Sequence, residues 1–213
     1  MIHENGFVDL ALFLAILIPS VVLHEVAHGV VALRLGDTTA RDQGRLTLNP
    51  VPHIDPFGSV IVPGILALSG ATVWGWAKPV PVVPNKFRRP TEHMAVAALA
   101  GPLTNLLIAA VIARIGPFAQ VGDRLTLTTG GLLPRLLFFA MVVNVALAVF
   151  NMLPIPPLDG SRLLPLVLSD KGRLVYARFS EYGFLVLIVI VLVFDGLLEP
   201  VGDLILWVVR FLV

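Results

Sequence analysis

Long apolar runs separated by short, proline-rich polar stretches set the pattern of this chain. The first run, residues 7–35, is almost unbroken. About 20 apolar residues at 1.5 Å each cross the roughly 30 Å of bilayer hydrocarbon, so this run predicts a spanning helix with a turn or two to spare. Gly36-Asp37 supplies its stop. The leading residues Ile2, His3, Glu4 and Asn5 lack the positive charge of a signal peptide, and no small-x-small cleavage pattern precedes His24. The run therefore reads as a retained transmembrane helix. After a polar stretch at 37–56, residues 60–74 are apolar but carry Pro63, Gly64 and Gly70. That is short and broken for a span, and leaves strands or a re-entrant hairpin open. Residues 75–90 follow with Pro79, Pro81 and Pro84, near Trp74 and Trp76, and predict extended backbone. Residues 92–115, 132–152 and 182–198 read as further spanning helices, and 201–213 as a short apolar tail. The expected fold is an all-α polytopic membrane protein: a bundle of about four to five transmembrane helices, with a broken, re-entrant or β-like segment between the first two.

Composition narrows the function classes. Hydrophobic residues make up 57% of the 213 and charged residues 14%, against about 25% charged in ordinary soluble domains, which excludes a soluble enzyme. Fifteen basic residues against fourteen acidic ones leave a net charge of +1, so no long-range field favours nucleic acid. There is no cysteine; disulfides and thiolate chemistry are out, and any metal must use His, Asp or Glu. The size predicts one integral-membrane domain over 1–213, with a core at about 7–170 and C-terminal apolar helices at 182–213.

Within the first helix stands His24-Glu25-Val26-Ala27-His28, an HExxH pattern. Two imidazoles four residues apart lie on one helix face and can grip a single metal ion, with Glu25 beside it. In zinc hydrolases of this pattern the Glu takes a proton from a metal-bound water whose pKa has fallen to about 7. Three such groups in one turn at bilayer depth need a compensating partner, since a charge there costs about 2.5–3.5 kcal/mol on insertion scales. Two His leave a zinc site one ligand short. Asp159 is the best candidate third ligand: three prolines, Pro154, Pro156 and Pro157, stop the preceding helix and Gly160 follows the carboxylate. The competing reading is that Asp159 only caps a short helix at 161–168.

The sequence resembles the site-2 protease family of intramembrane zinc metalloproteases. The resemblance rests on His24-Glu25-x-x-His28-Gly29, Gly44-Arg45-Leu46-Thr47-Leu48-Asn49-Pro50, His53-Ile54-Asp55-Pro56-x-Gly58, Gly75-Trp76-Ala77-Lys78-Pro79-Val80-Pro81-Val82, Ala100-Gly101-Pro102-x-x-Asn105 and Asn151-x-x-Pro154-x-x-Pro157-Leu158-Asp159-Gly160. It implies one Zn2+ per chain held by His24, His28 and Asp159, Glu25 as general base, and Asn151 helping to hold the substrate or the oxyanion. The minimal bacterial type, without PDZ or CBS domain, is the nearest form. The activity implied is an endopeptidase that cuts transmembrane segments of membrane-tethered proteins, such as an anti-sigma factor. Two other functions stay open at this stage: a non-catalytic protein that binds transmembrane helices, and a metal transporter. The second lacks a polar path, because 93–113 and 136–152 contain no Asp, Glu, Lys or Arg.

If the three ligands share an ion, residues 35 and 152 lie on one side of the membrane, so 60–74 does not cross. Segments 34–91 and 154–181 then carry eleven Lys/Arg against three, Arg114, Arg124 and Arg135, on the other side. The positive-inside rule turns the active site to the cytoplasm of what is expected to be a bacterial cell membrane. Asn105, on a face of small residues with Ala97 and Gly101, is structural glue between helices or direct support for the site, and Asn144 is more simply glue. Lys78 is an interfacial anchor, or belongs to an extended segment that pairs with an unwound substrate as an added strand. His53 reads as a loop residue with an accessory ligand role as its alternative. His3 and His93 read as surface residues, and Asp195, Glu199 and Asp203 as a solvated turn.

Overall fold

The computed structural model describes residues 6–69, 75–121, 124–193 and 195–213. Helix α1, Gly6–Arg34, is the long first span. It ends in a Schellman motif: the Asp37 N–H donates to Ala32 O at 2.9 Å and the Gly36 N–H to Leu33 O at 3.1 Å, with Gly36 at φ +108° where a side chain would be strained. A single turn, α2 (Thr39–Asp42), follows.

Residues 56–69 are helical rather than stranded: a π-turn at Pro56–Ile61, capped by the Asp55 carboxylate, runs into α3, Val62–Ser69. The chain then returns to where it left. The Trp76 N–H donates to Gly58 O at 3.0 Å and Ser59 Oγ to Trp76 O at 2.9 Å, so residues 58–59 and 76 lie side by side, as a segment that does not cross requires. The Gly70 and Trp74 positions lie outside the described residues. Residues 75–83 form an extended strap with no regular structure, as its alternating prolines predict.

Helix α4, Pro90–Ile115, starts with proline at its first position and stops at Gly116. A hairpin that the apolar pattern did not predict, β1 (Phe118–Val121) against β2 (Arg124–Leu127), links it to α5, Leu132–Asn151. A 3-10 segment at Asp159–Leu166 and α6, Asp170–Ser180, precede α7, Gly183–Val193, and α8, Glu199–Leu212. The expected fourth span is thus shorter than 182–198: a 3-10 turn at Asp195–Leu198 divides it from α8. Among the described residues three helices are long and apolar enough to cross alone, residues Leu12–Arg34, α4 and α5. The protein is an integral membrane protein of helical type.

Helix α4 packs against both α1 and α5, and its composition explains how. Ala97, Gly101, Asn105, Ala109 and Ala113, each four residues from the next, are all buried, a small-residue stripe that lets three backbones approach. Leu103, Leu107 and Val111 on the opposite face are more than half exposed, as lipid-facing side chains are. One apolar cluster joins Ala109 and Ala113 to Met141, Val145 and Val209. Another joins Ala32 and Ala97 to Phe87 and so ties the segment after the strap to α1 and α4.

Asp37, placed by the end of α1, is fully buried. It accepts from the Thr39 N–H at 2.9 Å, from the Thr39 hydroxyl, and from the Val83 N–H at 2.6 Å, with Lys86 Nζ 3.9 Å away. Burial raises its pKa, but those donors and the Lys86 charge outweigh it and hold the carboxyl below its ordinary value of 3.8. The ionised form therefore stabilises the fold fully above the ordinary value, and that contribution is lost as pH falls through the lowered one. Asp37→Asn should melt below the wild type in detergent at pH 7, and the gap should close as pH drops below about 4; a gap independent of pH would contradict this.

Candidate metal centre

Three lone-pair donors converge where α1 passes the start of α4 and the loop after α5. His24 Nε2 and His28 Nε2 are 3.0 Å apart, and Asp159 Oδ2 lies 3.1 Å from the first and 3.2 Å from the second. Both imidazoles are buried. The HExxH spacing accounts for the His pair. Asp159 reaches them where the chain after α5 folds back on the end of that helix: a Cβ on Gly160 would lie 2.1 Å from Met152 O. The capping alternative for Asp159 does not describe its side chain, which points to the His pair from the first residue of the 3-10 segment.

The hydrogen bonds behind the site fix which ring nitrogens face inward. His28 Nδ1 is 2.8 Å from Ala97 O, and a carbonyl only accepts, so Nδ1 carries a proton and, in the neutral ring, Nε2 the lone pair. His24 is set through a longer chain. Asn144 Nδ2 donates to Ala140 O at 2.8 Å, which identifies it as the nitrogen; Asn144 Oδ1 then accepts from Asn105 Nδ2 at 2.8 Å. That leaves Asn105 Oδ1 to accept from His24 Nδ1, 2.5 Å away. Asn144 Nδ2 also donates to Ser20 Oγ at 3.0 Å. With both rings neutral, each imidazole presents an Nε2 lone pair beside the Asp159 carboxylate, and neutral His plus carboxylate is a zinc donor set.

Helix α4 leaves room for the ion. A Cβ on Gly101 would stand 2.4 Å from His28 Nε2 and 2.6 Å from His24 Nε2, so the notch of this glycine is where the three donors meet. The three donors open on a cavity of about 580 Å3 whose walls include Glu25, Val80, Asn151 and Trp76. Glu25 is half-buried, and its Oε2 accepts the Val80 N–H at 2.7 Å.

The other predicted residues fall as follows. Asn151 lines the cavity with Nδ2 turned back to Leu147 O at 2.9 Å. Asn105 is fully buried and bonds a candidate ligand directly, which makes it site support as well as glue. The Lys78 side chain is exposed, and its N–H donates to His53 O at 2.8 Å. Along the strap the N–H groups of Trp76, Lys78 and Val80 are therefore all engaged within the chain, and Pro79 and Pro81 offer none. The opposite edge is thus poor in N–H donors, while Pro79 and Pro81 keep their carbonyls. His53 is a buried loop residue whose Nε2 donates to Thr47 O at 3.0 Å, away from the three donors. His93 packs edge-on to Phe87, Glu199 and Asp203 are exposed, and His3 lies outside the described residues.

Comparisons with known proteins point to a family of zinc enzymes. The model of peptidase family M50, the site-2 protease family, matches residues 116–194. The "Putative zinc metalloprotease YwhC" of Bacillus subtilis is 35% identical over 196 residues, covering 90% of this chain and 82% of that protein. An alignment of that length takes in residues 24–28 and 159 wherever it begins. The "Putative zinc metalloprotease Rip2" of Mycolicibacterium smegmatis is 29% identical over 174 residues, and this chain spans 63% of its length. The archaeal "Putative zinc metalloprotease MJ0611" of Methanocaldococcus jannaschii is 43% identical over 78 residues, 37% of this chain. No solved structure matches. The chain belongs to peptidase family M50. It is a zinc metalloprotease, and its cofactor is Zn2+.

Two outcomes follow for metal content measured by mass spectrometry on detergent-purified protein. Gly101→Ala fills the notch and should lose zinc while keeping its helical circular dichroism. Asn144→Leu leaves His24 without its fixed partner and should weaken zinc about 10- to 100-fold, the usual cost of an outer-shell loss. Full zinc in Gly101→Ala would show that the ion sits elsewhere.

Proposed function

We propose that this protease cuts transmembrane segments of other membrane proteins near their cytosolic ends, with zinc on His24, His28 and Asp159 and Glu25 as general base. The observation that carries this reading is the position of the His pair of the donor triad, inside a helix long enough to span and, at His28, about two turns from its C-terminal end. A substrate reaching it must come from within the bilayer. Positive-inside asymmetry, eleven Lys/Arg against three, supports a cytoplasmic site, and bacterial relatives support a bacterial plasma membrane.

Zinc, when bound, lowers the pKa of a coordinated water and polarises the scissile carbonyl. The chain supplies the remainder. Glu25 accepts the proton that water loses as its oxygen bonds to the carbonyl carbon, and returns it to the amide nitrogen as the C–N bond breaks, so the products are a carboxylate and an amine. Asn151, in the cavity wall, is placed to hydrogen-bond the substrate backbone once its bond to Leu147 O exchanges. The strap contributes the Ala77 N–H. The apolar walls keep other water away, which strengthens every electrostatic contact. An alternative as a helix-binding protein without activity has no support beside membership of a peptidase family, and transport has none beside the apolar halves of α4 and α5.

The test is co-reconstitution with a tagged single-span membrane protein of two topologies, with products mapped by mass spectrometry. Wild type should cut within the apolar segment near the cytosolic end. Glu25→Gln should keep zinc and lose at least about 100-fold in rate. Cleavage undiminished in Glu25→Gln would sink the mechanism, and cuts confined to soluble tails would sink the substrate class.

A further inference from the structure

We propose that the main-chain N–H of Val80 positions the Glu25 carboxylate for catalysis, and that buried Arg45 and Asp37 act as positioning residues by fixing the strap that carries it. This rests on Glu25 being the base.

The geometry runs through one peptide plane. The Pro79 carbonyl accepts from Arg45 Nη2 at 3.2 Å, while the Val80 N–H at the other end of the same peptide donates to Glu25 Oε2 at 2.7 Å. Arg45 Nη2 also holds Lys78 O at 2.8 Å. Arg45 is buried, and among the described residues no carboxylate pairs with it. Its charge is instead spent on the two carbonyls immediately before Val80. A cation at the carbonyl end polarises the peptide and strengthens its N–H as a donor. Three residues on, the Val83 N–H is held by buried Asp37, and two residues before Val80 the Lys78 N–H is held by His53 O. The Val80 side chain is buried as well and faces the backbone of α1: a Cβ on Gly29 would lie 2.9 Å from Val80 Cγ1. The peptide is therefore fixed at both ends and by its side chain.

A glutamate on a helix has three free torsions, and ordering it costs rotamer freedom. A fixed, charge-assisted bond to one oxygen removes that cost beforehand. It leaves Oε1 to take the proton. Arg45 belongs to the Gly44-Arg45 motif of the sequence but touches neither the donor triad nor Glu25, so it acts through the strap.

Proline at position 80 deletes this one hydrogen while keeping extended backbone, and the preceding Pro79 is already extended. Val80→Ala sheds side chain but keeps the N–H, so the ratio of the two variants isolates the bond. With the single-span substrate above, kcat of Val80→Pro should fall at least about 10-fold below that of Val80→Ala, with KM and zinc content alike. Arg45→Met should lower kcat similarly, and Arg45→Lys should restore part of it. Equal kcat in Val80→Pro and Val80→Ala overturns the inference. If Val80→Pro does not fold, amide exchange decides: in micelles with 15N-valine, Val80 should exchange at least about 10-fold faster in Glu25→Ala than in wild type while Val83 is unchanged. No acceleration at Val80 overturns it. Failure of the underlying reading looks different, because Glu25→Gln would then remain active.

Discussion

Everything in this molecule depends on holding three lone pairs against one another at membrane depth. With neutral rings, two imidazole nitrogens and a carboxylate oxygen within 3.0–3.2 Å form a donor set that a divalent cation satisfies. In a bilayer there is no water to solvate each group separately. The polar interior of the helix bundle is the structural answer. Ser20, Asn105 and Asn144 are all buried, one from each long helix, and each finds a partner in the others. Their chain ends on backbone carbonyls, which accept and cannot donate, so the direction of every hydrogen bond is decided. The proton on His24 Nδ1 is the last consequence of the Ala140 carbonyl two helices away.

Small residues make this arrangement possible. A bundle of bulky apolar helices would keep α1 and α4 too far apart for Asn105 to touch His24. The stripe from Ala97 to Ala113 closes that distance, and at Gly101 the same stripe leaves the space in which the ion fits. Packing and metal binding thus use the same residues, so a methyl group at 101 is more damaging here than on the lipid face, where Leu103 and Leu107 already stand.

Much of this was legible in the sequence, and the parts that were not share a cause. HExxH at bilayer depth predicts the His pair. The proline-broken end of α5 predicts that Asp159 joins them, and counting crossings predicts that the 60–74 segment returns. The residues missed act through main-chain atoms or through space. Gly101 reads as packing because its role is the absence of a Cβ beside two imidazoles. Val80 has no polar side chain, and what reaches Glu25 is its N–H. Asn144 reads as glue because the direction of its amide is set by a carbonyl four residues back and its effect is felt on another helix. The helical form of 56–69 was also not legible, since an apolar run with Pro63 and Gly64 fits strand and helix alike, and the choice is made by the Asp55 cap. The hairpin after α4 did have a signal, alternating residues around Gly122-Asp123.

The strap shows how a protease in a membrane resolves conflicting demands on one segment. It must be extended and close to the metal, yet an unpaired edge beside the bilayer is costly and invites unwanted pairing. Here the N–H groups of Trp76, Lys78 and Val80 are all used within the chain, and prolines at 79 and 81 remove donors from the other edge. The segment is therefore stable without substrate, and the one donor it directs at the catalytic machinery is already engaged with Glu25. Proline removes a donor and keeps its carbonyl, so the outer edge of the strap is richer in acceptors than in donors, and it is acceptors that the amides freed by an unwinding helix lack.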